Sequence, residues 1–138
     1  NLINEEDFDQ AETEIRIFEK ELKPDAPVQR YKIAIQLRKA EHTKGLMSED
    51  RVTLIREAEI MAENAITKYP DDKNMFKSYC EVGLGYLRMT GKWEIYDKSM
   101  AALKRLEDRV LDPDITRIVK KFDSISQRYT KSSIASHG

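Results

Sequence analysis

Residues 57–72 read EAEIMAENAITKYPDD. Within this segment small side chains recur after four and then three positions, at Ala58, Ala62 and Ala65, and Pro70 follows five residues later. Steps of four and three place the three alanines on one face of a helix. Such a face leaves a smooth surface on which two other helices can lie close, and the proline ends the helix. The segment therefore predicts one helix of a closely packed helical hairpin.

This arrangement resembles the second helix of a tetratricopeptide repeat (TPR), which has the same Ala, Ala, Pro spacing and an acidic turn after it. Residues 91–94 read GKWE and resemble the turn between the two helices of such a repeat. The spacing departs from the family, because Ala58 lies 38 residues before its equivalent, Tyr96, against a usual period of about 34. Tyr96, Met100 and Leu103 also replace small residues. The resemblance covers residues 27–110.

Apolar residues follow helical spacing along nearly the whole chain, with no strand-like alternation. Prolines and glycines separate the helical segments. The predicted helices cover residues 5–23, 27–44, 48–69, 75–90, 93–110 and 113–130. We expect an all-α fold in which these six antiparallel helices form three αα-hairpins, as in a TPR-like α-solenoid; a closed helical bundle is the alternative.

The predicted fourth helix, residues 75–90, is apolar on several sides, so we expect it to be central. It contains Gly83 and Gly85. Each glycine lowers helix propensity by about 1 kcal/mol relative to alanine. We therefore expect a neighbouring helix to pack closely at both positions.

Length and composition describe one globular domain. The chain has 138 residues, of which 40% are hydrophobic and 36% charged, enough to bury a core. We expect a single all-helical domain over residues 1–130, with a TPR-like core at 27–110, flanking helices at 5–23 and 113–130, and a flexible tail at 131–138. Because no initiator methionine is present, we interpret the chain as a segment of a longer protein or a processed product.

No apolar run approaches the ~18 residues of a membrane span, so we expect no membrane association. A single cysteine excludes a disulfide framework within the chain. The compartment is accordingly expected to be reducing and intracellular, that is, cytoplasmic.

The sequence contains no assembled catalytic or metal-binding set. Cys80 lies in the apolar fourth helix, and neither His42 nor His137 is placed by the sequence to act as its base, so we interpret it as a small buried hydrophobe. Asp112-Pro113-Asp114 starts a helix and lacks the alternating oxygen ligands of a calcium loop. We expect no enzymatic activity, no catalytic or metal-ligating residue and no cofactor.

The two ends of the chain carry opposite charge. Residues 1–28 contain nine acidic and three basic residues, whereas residues 98–138 contain nine basic and five acidic residues. This asymmetry can steer head-to-tail association. We do not expect nucleic-acid binding, because the basic end has few interleaved aromatic residues and the isoelectric point is about 6.2.

The resemblance implies that the opening helices line a concave surface on which an extended peptide or a partner helix lies. Polar residues flank the apolar stripes of the second and fourth predicted helices and would form a mostly basic groove suited to an acidic segment. They are Lys32, Gln36, Lys39, Asn74, Lys77, Glu81 and Arg88. In chaperone-binding members a Lys and Asn set clamps a terminal carboxylate. Here Gln36 and Ser78 stand where asparagine is expected, so chaperone-tail binding is not predicted.

These observations predict a non-enzymatic protein–protein interaction module or scaffold whose partner is a peptide or helix of another protein. One alternative is oligomerisation through the stripes of the first and sixth predicted helices, Phe8 to Leu22 and Ile115 to Tyr129. Another is a regulatory helical domain of a larger multidomain protein.

Overall fold

The computed structural model describes residue 10, residues 12 and 13, residues 26–42 and residues 48–137; side chains are described as far as residue 129, except at 48 and 49. Within these residues it contains five helices and no strand, which confirms the all-α class. They are α1 (Ala26–His42), α2 (Ser48–Lys68), α3 (Lys73–Thr90), α4 (Glu94–Arg109) and α5 (Pro113–His137). The predicted first helix, residues 5–23, lies outside the described residues except at 10, 12 and 13, which are helical.

The helix boundaries follow from local capping. Helix α3 begins at Lys73, two residues before the predicted start, because the Asp72 carboxylate accepts a hydrogen bond of 2.9 Å from the Asn74 N–H. It ends at Thr90 and is capped by Gly91, whose φ of 73° lies in the left-handed region that favours glycine. Asp112 caps α5 in the same way, accepting from the Asp114 N–H at 2.9 Å. The predicted breaks at residues 91 and 112 are thus confirmed.

Helix α5 extends beyond the residue at which the sequence predicted it to end. Residues 131–138 were expected to form a tail, whereas the backbone is helical to His137. Residues 114–137 contain neither proline nor glycine, and each residue added to an existing helix gains one backbone hydrogen bond. The first residue with strong helix-breaking character is Gly138.

Helix α3 is the central element, as its apolar sequence predicted, and contacts each of the other four helices. Its start lies beside that of α5, where Lys73 Nζ is 2.9 Å from Asp112 Oδ2 and 2.8 Å from Asp114 Oδ2. Near its end, Arg88 contacts Glu41 of α1 and Tyr129 of α5. Helices α1, α3 and α5 therefore run in the same direction, side by side.

Helices α2 and α4 pack on the other side of α3. Arg56 of α2 forms an ion pair of 3.0 Å with Glu94 at the start of α4, and Arg109 at the end of α4 lies 3.5 Å from Asp71, just after α2. The two helices therefore run parallel to each other. The described part of the chain thus has two layers, with α1, α3 and α5 in one and α2 and α4 in the other.

The core lies between these layers. Ala58, Ala62 and Ala65 are all buried, so the small-residue face of α2 packs against its neighbours. A Cβ atom at Gly83 would lie 2.6 Å from the Tyr96 Cα atom of α4, and one at Gly85 would lie 2.6 Å from a terminal methyl of Leu37 in α1. The close helix approach predicted at both glycines is confirmed.

Candidate functional site

An open groove of about 500 Å³ runs between α1 and α5, with α3 as its floor. Side chains from the three parallel helices line it. They are Ala34, Leu37, Arg38, Glu41 and His42 of α1, Glu81, Leu84 and Arg88 of α3, and Lys121, Phe122 and Ile125 of α5. We call this surface the α1–α3–α5 groove.

Each helix contributes one face, as the helical repeat requires. The α1 positions follow steps of three, four, seven and eight from residue 34, and the α3 positions follow steps of three and seven from residue 81. Leu84 is buried on the floor and Phe122 is buried at the α5 wall. The groove therefore combines buried apolar side chains with exposed charged ones, and the charged residues include Glu81 and Arg88 of the floor helix.

Cations outnumber anions in the groove. Arg38 on α1, Arg88 on α3 and Lys121 on α5 face Glu41 and Glu81. Arg38 and Lys121 are exposed and lie on opposite walls. Within the described residues neither forms an ion pair, and the Lys121 ammonium lies 5.8 Å from the centroid of the Phe122 ring.

Arg88 connects the two walls at one end of the groove. Its Nε donates a hydrogen bond of 2.9 Å to the Tyr129 hydroxyl of α5. Its Nη1 lies 3.6 Å from Glu41 Oε2 of α1, an ion-pair separation beyond normal hydrogen-bond length. The Arg88 side chain is 48% exposed and that of Glu41 21%.

Four of the seven predicted binding residues share the α3 face that forms the floor. Glu81 and Arg88 line the groove. Asn74 and Lys77 precede Glu81 by seven and four residues, so they lie on the same face, closer to the helix start. The structure thus places this predicted set along one side of α3.

The three predicted residues of α1 lie elsewhere. Gln36 Nε2 donates to the Leu54 carbonyl at 3.1 Å and to Glu57 Oε2 at 3.0 Å, so it contacts α2. Lys39 forms an ion pair of 3.1 Å with Glu12. Lys32 shares their face of α1, four residues before Gln36.

The difference arises because both flanks of the buried α1 stripe are polar. Ile33, Leu37 and Ala40 are buried, and the positions 32, 36 and 39 lie on one flank while 34, 38 and 41 lie on the other. The sequence does not say which flank meets the groove. Sequence reasoning therefore missed Arg38 and Glu41, although the step from Ala34 to Arg38 and Glu41 marks a second polar face.

A second cavity of about 430 Å³ lies on the other side of the molecule, between α2, α3 and α4. Its lining includes Glu63, Tyr79, Lys98 and Arg105. The Tyr79 hydroxyl donates to Glu63 Oε1 at 3.2 Å. Burial, together with this carboxylate, raises the pKa of Tyr79. A tyrosine held protonated in this way is a structural hydrogen-bond donor.

Polar groups between α2 and α4 are paired with one another. The buried Glu59 accepts from Arg56 Nη1 at 3.1 Å and lies 3.5 Å from Lys98 Nζ. Hydrogen bonds to Glu94 and Glu59 raise the pKa of Arg56. The hydrogen bond between Arg56 and Glu94 also lowers the pKa of Glu94. The Arg56 guanidinium also stacks over the Tyr86 ring, 4.8 Å from its centroid. This network holds the second layer together.

The thiol of Cys80 is not activated as a nucleophile. It is buried beside Met100, with its Sγ 3.8 Å from the Met100 Sδ. Burial raises the pKa of the Cys80 thiol to about 12, which leaves very little thiolate at neutral pH.

No protein-family model, curated protein or solved structure was found to match the chain. Over the residues that the structure describes, no helix combines the length and apolarity needed to cross a bilayer. Nor do three or more His, Cys, Asp or Glu side chains converge as a metal site anywhere in that part.

Proposed function

We propose that this chain is a non-enzymatic protein–protein interaction module that binds a peptide or helix of a partner protein in the α1–α3–α5 groove. One observation carries the proposal: three parallel, non-consecutive helices leave an open groove that is lined by both apolar and charged side chains, with cations on both walls. A groove of this kind can accept an amphipathic segment, because its lining offers both apolar contacts and charged partners.

We further propose that the helices form a TPR-like α-solenoid of stacked hairpins. The two-layer arrangement supports this, because α3 contacts α1 and α5 within its own layer as well as its sequence neighbours α2 and α4. The buried alanine face of α2 is consistent with it. The proposed setting is the cytoplasm, in keeping with one buried free cysteine.

The proposed partner segment is acidic. Arg38 and Lys121 lie on opposite walls of the groove and are exposed. An acidic segment along the floor would meet one cation on each side, whereas a basic segment would be repelled by both. Charge complementarity at such rim positions contributes to specificity and association rate.

The experiment is a peptide-display selection on the immobilised chain, followed by affinity measurements on the enriched peptides. The groove variant Arg38→Glu/Lys121→Glu is compared with the control variant Lys92→Glu/Lys104→Glu, which reverses two exposed charges outside the groove. We expect acidic peptides to be enriched and the groove variant to weaken them by about tenfold, because each exposed charge contributes up to about 1 kcal/mol. The control should change affinity by less than about twofold.

Melting temperatures accompany the affinities, so that a loss of folding is not taken for a loss of contacts. Equal loss of affinity in the groove and control variants would mean that the peptides bind elsewhere. Enrichment of basic peptides would contradict the proposed partner chemistry.

A further inference from the structure

Within the described residues, the Arg88 guanidinium uses only one of its hydrogen-bond donors. An arginine carries five N–H donors in a planar fork that matches a carboxylate. Within the described part of the chain Arg88 makes one hydrogen bond, from Nε to Tyr129. The Glu41 carboxylate lies 3.6 Å from Nη1, too far for a second one.

Glu41, which lines the groove, is the carboxylate nearest to the unpaired side of the Arg88 guanidinium. Its side chain lies over Gly85, with Oε1 3.3 Å from where a Cβ atom would be. Its carboxylate thus lies at the junction of α1 and α3, beside Arg88, the cation with which a partner carboxylate would pair. The other acidic residue of the groove, Glu81, forms no ion pair with Arg88 or any other described residue.

We propose that Glu41 competes with the partner segment for Arg88. It holds the Arg88 guanidinium in a weak ion pair until an acidic side chain of the partner segment displaces it. The occupant is an amphipathic segment whose apolar side lies on Ala34 and Ile125, the less buried apolar residues of the groove, and whose carboxylate pairs with the Arg88 fork. A carboxylate free to approach can form two parallel hydrogen bonds, which the 3.6 Å contact to Glu41 does not. This inference rests on the proposed function and adds to it a control on affinity.

The test uses an acidic peptide enriched in the display selection, amidated at its C-terminus so that only side-chain carboxylates remain. Its affinity is measured for the full chain, for Glu41→Gln and for the matched control Glu81→Gln. Both variants remove one negative charge from the same groove, but only the first removes the competitor of Arg88. We expect Glu41→Gln to bind about fivefold more tightly, the upper end for an exposed ion pair, and Glu81→Gln to gain less than about half of that.

The double variant Glu41→Gln/Arg88→Gln tests whether the effect of Glu41 depends on its ion pair with Arg88. If Glu41 acts through Arg88, the gain from Glu41→Gln is lost in the double variant. A version of the peptide with every glutamate and aspartate changed to its amide should likewise show no gain. Circular dichroism verifies folding, and Glu41→Ala replaces Glu41→Gln should the latter not fold.

The outcomes separate this inference from the proposed function. Equal gains in Glu41→Gln and Glu81→Gln, or weaker binding in Glu41→Gln, would overturn the role of Glu41 while the groove stands as the binding surface. A gain that persists without Arg88 would overturn it as well. If the selected peptides bind with no dependence on any groove residue, the proposed function itself fails, and the inference with it.

Discussion

Replacing Gly83 by alanine should destabilise the protein, whereas the same change at Gly85 should be nearly neutral. The two glycines lie two residues apart in the interior of α3, so the gain in helix propensity is the same for both, about 1 kcal/mol. The difference between the variants therefore measures packing alone. This pair makes a matched test of the helix arrangement.

The cost at Gly83 follows from which atoms the new methyl meets. A Cβ atom there would lie 2.6 Å from Tyr96 Cα and 2.9 Å from Tyr96 N, both backbone atoms of α4. Relief requires α4 to move away from α3, and overpacking of this kind costs about 1–3 kcal/mol. Because the clash is with backbone atoms, the upper half of that range applies, and after the propensity gain we expect Gly83→Ala to lower the free energy of unfolding by about 1–2 kcal/mol.

At Gly85 the nearest atom is instead the end of a flexible side chain. The new methyl would lie 2.6 Å from Leu37 Cδ1 and 3.2 Å from Ile55 Cδ1. Both methyls can shift by a small rotation, so the packing cost should roughly equal the propensity gain. We expect the free energy of unfolding of Gly85→Ala to lie within about 1 kcal/mol of that of the wild type.

Urea unfolding followed by far-ultraviolet circular dichroism gives both free energies from the same transition. Gly83→Ala should unfold at a lower urea concentration than Gly85→Ala, with the slope unchanged. If Gly83→Ala were as stable as the wild type, or if Gly85→Ala were the less stable variant, the close approach of α4 to α3 described above would be wrong.

Three further predictions concern the core and the ion pairs. Ala62→Phe should lower the free energy of unfolding by about 1–3 kcal/mol in urea, because residue 62 is fully buried. Cys80 should react with iodoacetamide far more slowly in the native protein than in urea, because burial raises its pKa to about 12; equal rates would contradict its burial. Lys73 lowers the pKa of Asp112, so folding should lose stability as pH falls from about 4 through that lowered pKa. The variant Asp112→Asn can still cap α5, and its stability should fall less than that of the wild type over the same pH range. Urea unfolding midpoints measured as a function of pH compare the two proteins.

Local signals in the sequence were sufficient to predict the five helices that the structure describes, although not the end of α5. Gly91 and the pair Asp112-Pro113 marked two boundaries because capping and backbone conformation depend on neighbouring residues only. The spacing of Ala58 and Ala62 predicted a buried face for the same reason. Such features need no knowledge of the tertiary arrangement.

The groove could be predicted only in part, because it depends on which helices meet. On α3 one apolar stripe and its polar flank fixed the face that carries Glu81 and Arg88. On α1 both flanks of the buried stripe are polar, and only the contact of Gln36 with α2 shows which flank is turned away from the groove. Lys121 of α5 joins the groove only because α1, α3 and α5 lie side by side. No local sequence pattern predicts that arrangement.

The most direct test of the central claim is the methyl NMR spectrum of the chain as an acidic partner peptide is added. Resonances of the groove side chains Leu37, Leu84 and Ile125 should shift as the peptide binds. Ile60 serves as an internal control, because it is 57% exposed on α2 and lies outside the groove. Shifts confined to the groove methyls are the predicted result; shifts at Ile60 with unchanged groove methyls would contradict the account.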